Sequence, residues 1–433
     1  MRHTFDYSRF NPATVMVVMM FLGYSVNFMD RQIVSVLVEP LKAELDLSDG
    51  QIGLLTGLSF AIFYSLMSLP IAALADRYSR KRIIVFSMAF WSVMTGLFGL
   101  AQSYSGLFLT RMAVGAGEAA FAPAAYSMIA DYFPASRRGT AMAFGSIGAM
   151  VGTALGLVVG GYVAEHAGWR QAMFVAAIPG TVIAAAFGMF VREPMRGSCA
   201  GVAAVPQRHS FLAFRRNSPY VLLVSAASVG MFVLFACVHW FPAYLIRSHQ
   251  MSQSSVGTIL GVVLGGAGVA SFLIGGYATD LCSRRDVRWG AWIPALGALA
   301  GLPLLAAALC VSGRSATLTL FGLGYFAIML MNAPIIATIP SLVGAGVRAR
   351  AIAVFMVMTT LAVGCGPTVA GFLSEIYRPE AGPDSLRFAL MTLTPVLVIA
   401  PVLLFFAAPR FVGSYPVPAV ESPVAVGNLE PRM

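Results

Sequence analysis

The sequence predicts an all-α membrane protein: twelve transmembrane helices in two pseudo-symmetric six-helix bundles. Three observations carry that expectation. Hydrophobic residues make up 58% of the 433 positions and charged residues 11%, where a soluble domain carries about 25% charge. The apolar stretches are of membrane-spanning length and apolar all round, as at 15–28 and 221–238, rather than alternating with the period of two that a β-barrel requires. The chain also repeats itself at an offset of about half its length.

In order, the apolar stretches place spans at 13–38, 51–75, 83–102, 106–132, 139–164 and 170–191, then at 218–246, 255–278, 290–311, 316–342, 350–376 and 385–408. Residues 1–191 form the first bundle and 218–408 the second. The connection 192–217 carries Arg192, Glu193, Pro194, Arg208, Arg215 and Arg216 and is expected on the cytoplasmic side. The tail 409–433 is rich in Pro, Val, Ser and Gly and is expected to be disordered. Residues 1–12 are polar and lack an Ala-x-Ala-like cleavage site, so the first stretch is expected to stay as a helix.

Charge sets the topology. Of 28 Lys and Arg, twenty fall on the side that holds both termini, six on the other (Lys42, Arg170, Arg247, Arg314, Arg378 and Arg387), and two inside the membrane. The positive-inside rule then puts both termini in the cytoplasm. The net charge of +10 is accounted for by that asymmetry, with the lipid bilayer as counterion and no nucleic-acid partner. Cys199, Cys237, Cys282, Cys310 and Cys365 show no metal-ligand spacing and read as packing thiols. No metal or other cofactor is expected.

The repeat is specific. Leu47-Ser48-x-x-Gln51-Ile52-Gly53 matches Met251-Ser252-x-x-Ser255-Val256-Gly257, Gly57 matches Gly261, Asp76 matches Asp280, and Arg80-Lys81 matches Arg284-Arg285, all at an offset of 204. Ala122-Pro123 matches Ala333-Pro334, and Gly161…Glu165 matches Gly371…Glu375, at 211 and 210. Parallel repeats of this kind build transporters with the binding site between the halves.

Four charges break the symmetry. Asp30 and Arg31 lie inside the first stretch, Arg111 and Glu118 inside the fourth; the equivalent positions are Leu234, Phe235, Gly322 and Met329. A charge at the bilayer centre costs roughly 2.5–3.5 kcal/mol on insertion scales, so such residues mark pathways, relays or paired sites. Asn27, Asp30 and Arg31 share one helical face through i, i+3, i+4 spacing. Arg111, Gly115 and Glu118 share a stripe through i, i+4, i+7. A purely structural ion-pair network would be replaceable by apolar residues at little cost, which favours a functional reading.

Several motifs carry a family resemblance. Leu74-Ala75-Asp76-Arg77-Tyr78-Ser79-Arg80-Lys81-Arg82 resembles the loop between spans two and three of the major facilitator superfamily, with Ala72 and Ser79 where that family has glycines. Gly276-x-x-x-Asp280-x-x-x-Arg284-Arg285 is its second copy. The resemblance implies an inner gate of Asp76, Arg77, Arg80, Lys81, Asp280, Arg284 and Arg285. Arg111-x-x-x-Gly115 resembles the fourth-span motif of the superfamily. Asn27-Phe28-Met29-Asp30-Arg31 with Gly115-x-Gly117-Glu118-Ala119 resembles the spinster-type branch, from which the chain departs at Phe121 and Pro123. That branch implies lysophospholipid or sphingoid-phosphate transport, with the Asp-Arg pair and the Glu in coupling. In this fold spans one and four line the cavity, which implies that the four charges can meet. Span seven lines it too, so His239, Phe235 and Trp240, and in span ten Tyr325 and Asn332, are possible lining residues; packing is the alternative for each. Gly148, Gly152, Gly156 and Gly160 read as a close-packing stripe.

No P-loop, no His-Glu-x-x-His and no extramembrane catalytic module is legible, so neither an enzyme nor an ATP-driven pump is expected. The expected function is secondary active transport by alternating access. It would be coupled to protons at Glu118 and Asp30, with Asn27, Arg31 and Arg111 binding substrate, in a bacterial inner membrane and as a monomer. Two cations facing aromatics and Met suit an amphipathic organic anion such as a lysolipid. A hydrophilic organic or sugar acid, a hydrophobic drug, and a non-transporting membrane sensor are the alternatives.

Overall fold

The computed structural model describes residues 11–197, 217–343 and 347–414, and the regular elements among them are all helices. Residues 1–10, most of the connection 192–217, and the tail beyond 414 lie outside them. The first half runs α1 (Pro12–Val36), α2 (Val38–Leu45), α3 (Asp49–Thr56), α4 (Leu58–Arg77), α5 (Arg80–Phe98), α6 (Tyr104–Glu118), α7 (Phe121–Tyr132), α8 (Ala135–Ala167) and α9 (Trp169–Phe190). The second runs α10 (Ser218–His249), α11 (Gln253–Ser283), α12 (Trp289–Cys310), α13 (Arg314–Met329), α14 (Asn332–Leu342), α15 (Arg348–Ala381), α16 (Ser385–Leu393) and α17 (Ile399–Ser414).

These helices make the expected twelve spans, four of them broken. Span four breaks between α6 and α7 and span ten between α13 and α14. Pro123 and Pro334, equivalent in the repeat, stand in the first turns of α7 and α14. Neither offers an N–H to the carbonyl four residues back, at Ala119 and Leu330, so each span turns there. Span two breaks at Gly57, where a Cβ would lie 2.1 Å from the Gly364 carbonyl. The Thr368 hydroxyl fills the break: it accepts the Leu58 N–H at 3.2 Å and lies 2.9 Å from the Gly53 carbonyl. Span twelve is interrupted by a 3-10 turn over Thr394–Val398. The repeated serines are N-caps. Ser48 forms a reciprocal capping box with Gln51, and Ser252 Oγ accepts the Ser255 N–H at 3.3 Å.

Ten segments of the described chain are long and apolar enough to cross a membrane; one of them, 350–411, contains two spans. Span four is absent from that set: its two helices are short, and the first carries both Arg111 and Glu118.

The halves meet where α8 packs on α11, where α15 packs on α3 and α4, and where α1 touches α10. Backbones come very close along α8. A Cβ at Gly152 would sit 2.0 Å from the Ser25 carbonyl of α1, and one at Gly257 of α11 would sit 2.2 Å from the Leu157 carbonyl of α8. The glycine stripe therefore packs α8 onto the helix that carries Asp30 and Arg31. The end of the molecule where α1 begins is here the near end; the end where α1 finishes is the far end. Among the described residues, the ion pairs and hydrogen bonds between the halves all lie toward the far end.

Candidate functional site

The four asymmetric charges occupy the middle of the first half. Successive helical residues diverge by about 100°, so Asp30 and Arg31 turn to different neighbours. Arg31 Nε donates to Glu118 Oε2 at 2.7 Å, bridging α1 and α6. Its guanidinium lies over three rings, 4.5 Å from the centroid of Phe60, 4.9 Å from Tyr64 and 5.1 Å from Phe28. Cation–π contacts of this kind contribute about 0.5–2 kcal/mol, more when dry.

Arg111 pairs with neither carboxylate through a hydrogen bond. Its Nη1 donates to the Asp30 carbonyl at 3.2 Å and its Nη2 to the Arg31 carbonyl at 3.4 Å, and its guanidinium lies 5.1 Å from the Phe60 ring. Asp30 turns to α5, where Oδ2 accepts the Thr95 hydroxyl at 3.2 Å. The structure thus joins Arg31 to Glu118, holds Arg111 on the α1 backbone, and sets Asp30 apart. Asn27 is buried on the same helix. Asp30 Oδ1, Glu118 Oε1 and Arg111 Nε are buried without a hydrogen-bond partner. Each such atom costs about 1–3 kcal/mol or more for a charged group, a cost that a proton or a ligand atom can remove.

From the second half, α10, which packs against α1, carries the buried His239. The His239 Nδ1 lies 3.2 Å from the Phe235 carbonyl, which can only accept, so Nδ1 carries the hydrogen and Nε2 is left as an acceptor. The Phe235 and His239 rings sit 5.8 Å apart. Trp240 points elsewhere, donating Nε1–H to the Pro367 carbonyl of α15 at 2.8 Å in a fully packed position. Tyr325 is buried against α11 beside Gly268, and Asn332 Nδ2 meets the Met329 sulfur at 3.6 Å.

At the near end, the charges named from the repeated motif stay within their own halves. Arg80 is buried and binds Asp131, Glu193 (Nε–Oε1 2.9 Å), Ser127 and the Pro194 carbonyl. Glu193 also caps α5, accepting the Lys81 N–H at 2.8 Å and the Ser79 hydroxyl at 2.8 Å. Burial alone would raise its carboxyl. The Lys81 amide, the Arg80 guanidinium and the Ser79 hydroxyl outweigh that and hold it below the usual carboxylate value. Arg196 donates to carbonyls of Ala75, Asp76 and Tyr78 and so closes the end of α4. Asp76, Arg77, Asp280, Arg284 and Arg285 are exposed.

The far end holds the reverse arrangement. Arg247 of α10 reaches into the first half: Nη1 and Nη2 donate to Asp49 at 2.9 and 2.8 Å, and Nε donates to Glu39 at 2.8 Å. Lys42 and the Ser374 hydroxyl (2.7 Å) also bind the Asp49 carboxylate. Asp49 is 2% exposed.

A family model described as the Major Facilitator Superfamily matches residues 20–347. The chain belongs to that superfamily. An MFS-type efflux pump of Mycolicibacterium smegmatis is 31% identical over 89% of this chain and 90% of its own. A hexuronate transporter of Bacillus subtilis is 25% identical over 88% and 93%, and the spinster protein of Drosophila melanogaster is 27% identical over 81% and 60%. A crystal structure described as a bacterial homolog to the human lysosomal transporter spinster, inward-facing and unoccupied, superposes with a TM-score of 0.84 at 26% identity, covering 94% of this chain and 99% of that one. The facilitator-fold and spinster resemblances read from the motifs therefore hold. This major facilitator protein is a multi-pass membrane transporter of small molecules, not an enzyme.

Several residues around these sites escape a reading of the sequence. Phe60 and Tyr64 have only an i, i+4 aromatic spacing on span two, which any packing stripe shares. Asp131, Glu193 and Arg196 lie at span ends, where charge is ordinary. Asp49 and Glu39 stand beside Lys42 in a short polar stretch, and their partner Arg247 is about two hundred residues away, so nothing local reveals the cluster.

Proposed function

We propose that this transporter couples proton movement to that of an amphipathic organic anion by alternating access, with Glu118 and Asp30 as proton sites and Arg31 and Arg111 as the anion-binding cations. The buried Arg31–Glu118 pair is the observation that carries this reading, because its second carboxylate oxygen is left without a donor. Protonating Glu118 removes the charge that holds Arg31. The freed guanidinium, in its ring of Phe28, Phe60 and Tyr64, is then available to an anionic headgroup. Desolvation favours the neutral acid and Arg31 favours the carboxylate, so substrate arrival can tip the balance. Asp30, on the α5 side with one unpartnered oxygen, is a separate acceptor that need not compete for the same arginine.

The Phe235 ring beside His239, and the lysolipid or sphingoid-phosphate transport that the resemblance to the spinster branch implies, support a tail-bearing anion. The hexuronate transporter among the relatives supports the second reading, a hydrophilic sugar acid held by the same arginines, with His239 Nε2 accepting a hydroxyl. The excess of basic residues at the near end supports a cytoplasmic placement of that end and of both termini, in a bacterial inner membrane. On that orientation the far-end closure corresponds to an inward-facing state. The proposed working unit is the monomer.

The test is transport into proteoliposomes under an imposed pH gradient, with lysophosphatidate and hexuronate as rival substrates. Gradient-driven movement of the lysolipid that Glu118→Gln reduces to background is expected. Movement of hexuronate alone would transfer the assignment to the second reading, and undiminished gradient-driven transport by Glu118→Gln would remove Glu118 from coupling.

A further inference from the structure

Two carboxylates outside the central cluster stand at matched places in the repeat and make the same contact. Glu165 lies at the far end of α8 in the first half, and Glu375 lies 210 positions later, at the far end of α15 in the second. Glu165 Oε2 accepts the backbone N–H of Ser254 at 2.6 Å. Glu375 Oε2 accepts the backbone N–H of Gly50 at 3.2 Å and the Ser48 hydroxyl at 3.1 Å. Gly50 and Ser254 are themselves equivalent, each the second residue of a helix capped by Ser48 or Ser252. Each carboxylate therefore occupies the open amides and positive pole of a helix N-terminus. In both cases the helix belongs to the opposite half.

We propose that Glu165 and Glu375 are a pair of latches, related by the pseudo-symmetry of the fold, which hold the far end shut and are released together when it opens. A cap supplied by a residue's own helix or loop survives any movement of the halves. These two exist only while the halves are docked. Both glutamates are exposed at the rim, so each returns to water on release. The seat of Glu375 is also shaped for it: a Cβ at Gly50 would lie 2.5 Å from Glu375 Oε2. The latch on α11 is tied to the central site as well. Gln253, next to Ser254, donates Nε2–H at 3.0 Å to the Val36 carbonyl, the last of the helix that carries Asp30 and Arg31. Closing this seam fixes the end of α1, and opening it frees that end.

The experiment is double electron–electron resonance on the full chain in nanodiscs, with the native cysteines replaced. One spin-label pair, Ala43→Cys with Ser315→Cys, reads the far end. A second, Tyr78→Cys with Arg285→Cys, reads the near end. In Glu165→Ala/Glu375→Ala a population with longer far-end and shorter near-end distances is expected, with each single variant intermediate. Gly50→Ala, which keeps both charges but obstructs the seat of Glu375, should match Glu375→Ala. Glu165→Gln/Glu375→Gln, which keeps the acceptor oxygens, covers the case in which the alanine pair does not fold, and should show the same population at a lower level. Far-end distances that stay at their parent values in these variants would overturn the proposal. So would far-end lengthening without near-end shortening, which would mean local fraying. The readout is a distance without substrate, so the result stands apart from the assignment of substrate and proton.

Discussion

The two ends of the bundle use similar residues in opposite ways. At the far end Arg247 crosses from the second half to Asp49 and Glu39 in the first. At the near end Arg80, more deeply buried, satisfies itself on Asp131 and Glu193 within the first half. A buried ion pair is costly to break because one charge is then left without its partner. A pair across the seam therefore holds a conformation, whereas a pair inside one bundle holds only that bundle. The repeated near-end motif belongs, in this state, to the second kind.

The largest effect is expected at neither end. Glu118→Gln should leave the fold intact and reduce proton-driven transport to background in proteoliposomes, because it removes the one carboxylate joined to Arg31. If the ends alone controlled the cycle, that variant would still transport.

Next in size is Arg247→Ala. Asp49 keeps Lys42 and, across the seam, the Ser374 hydroxyl, but the ion pair across the seam is lost, at a cost to the closed far end of about 3 kcal/mol. Thr368→Cys, buried at this seam, should become reactive to an impermeant maleimide in that background and stay protected in the parent. Equal protection in both would break the contrast between the ends.

Arg80→Ala sharpens the same contrast from the other side. It removes the guanidinium that Asp131 and Glu193 share and should lower the melting temperature by several degrees, while the Thr368→Cys reporter stays protected. Increased labelling of that reporter would mean that the near-end brace also sets conformation.

The smallest effect is a pH dependence. The folded-state value of Glu193 is lowered, so its contribution to stability is present above the unfolded value near 4.3 and is lost as pH falls through the folded value. The difference in melting temperature between parent and Glu193→Gln should be level from about pH 8 to 5 and shrink below about pH 4. Partial exposure of the carboxylate keeps this effect small. A difference that grows on acidification would reverse the sign and exclude Glu193 as an ionised cap.

Much of the fold is legible locally. Span number follows from hydropathy and the packing role of the α8 glycines from their spacing of four, whereas the repeat shows matched serines and prolines without showing that they cap and break helices. The four asymmetric charges are legible because a charge in an apolar run has few explanations. Their pairing is not. Helical spacing places Asp30 and Arg31 on one broad face, and only the position of α5 decides that Asp30 turns to Thr95. Trp240 shows the same limit: its place on span seven suits a cavity, and its indole is spent on the Pro367 carbonyl.

The sequence by itself determined what needs only local periodicity and composition. That covers a membrane protein of twelve spans, a duplicated scaffold, and a first half that alone carries charge within its spans. Each follows because a bilayer penalises every misplaced polar group one residue at a time. Tertiary structure alone decided which charges meet, which end is closed, and that glutamates of one half cap helices of the other. Those outcomes depend on contacts between segments up to more than three hundred residues apart. Such contacts are set by how two bundles dock, and the same sequence must permit more than one docking if the protein is to transport.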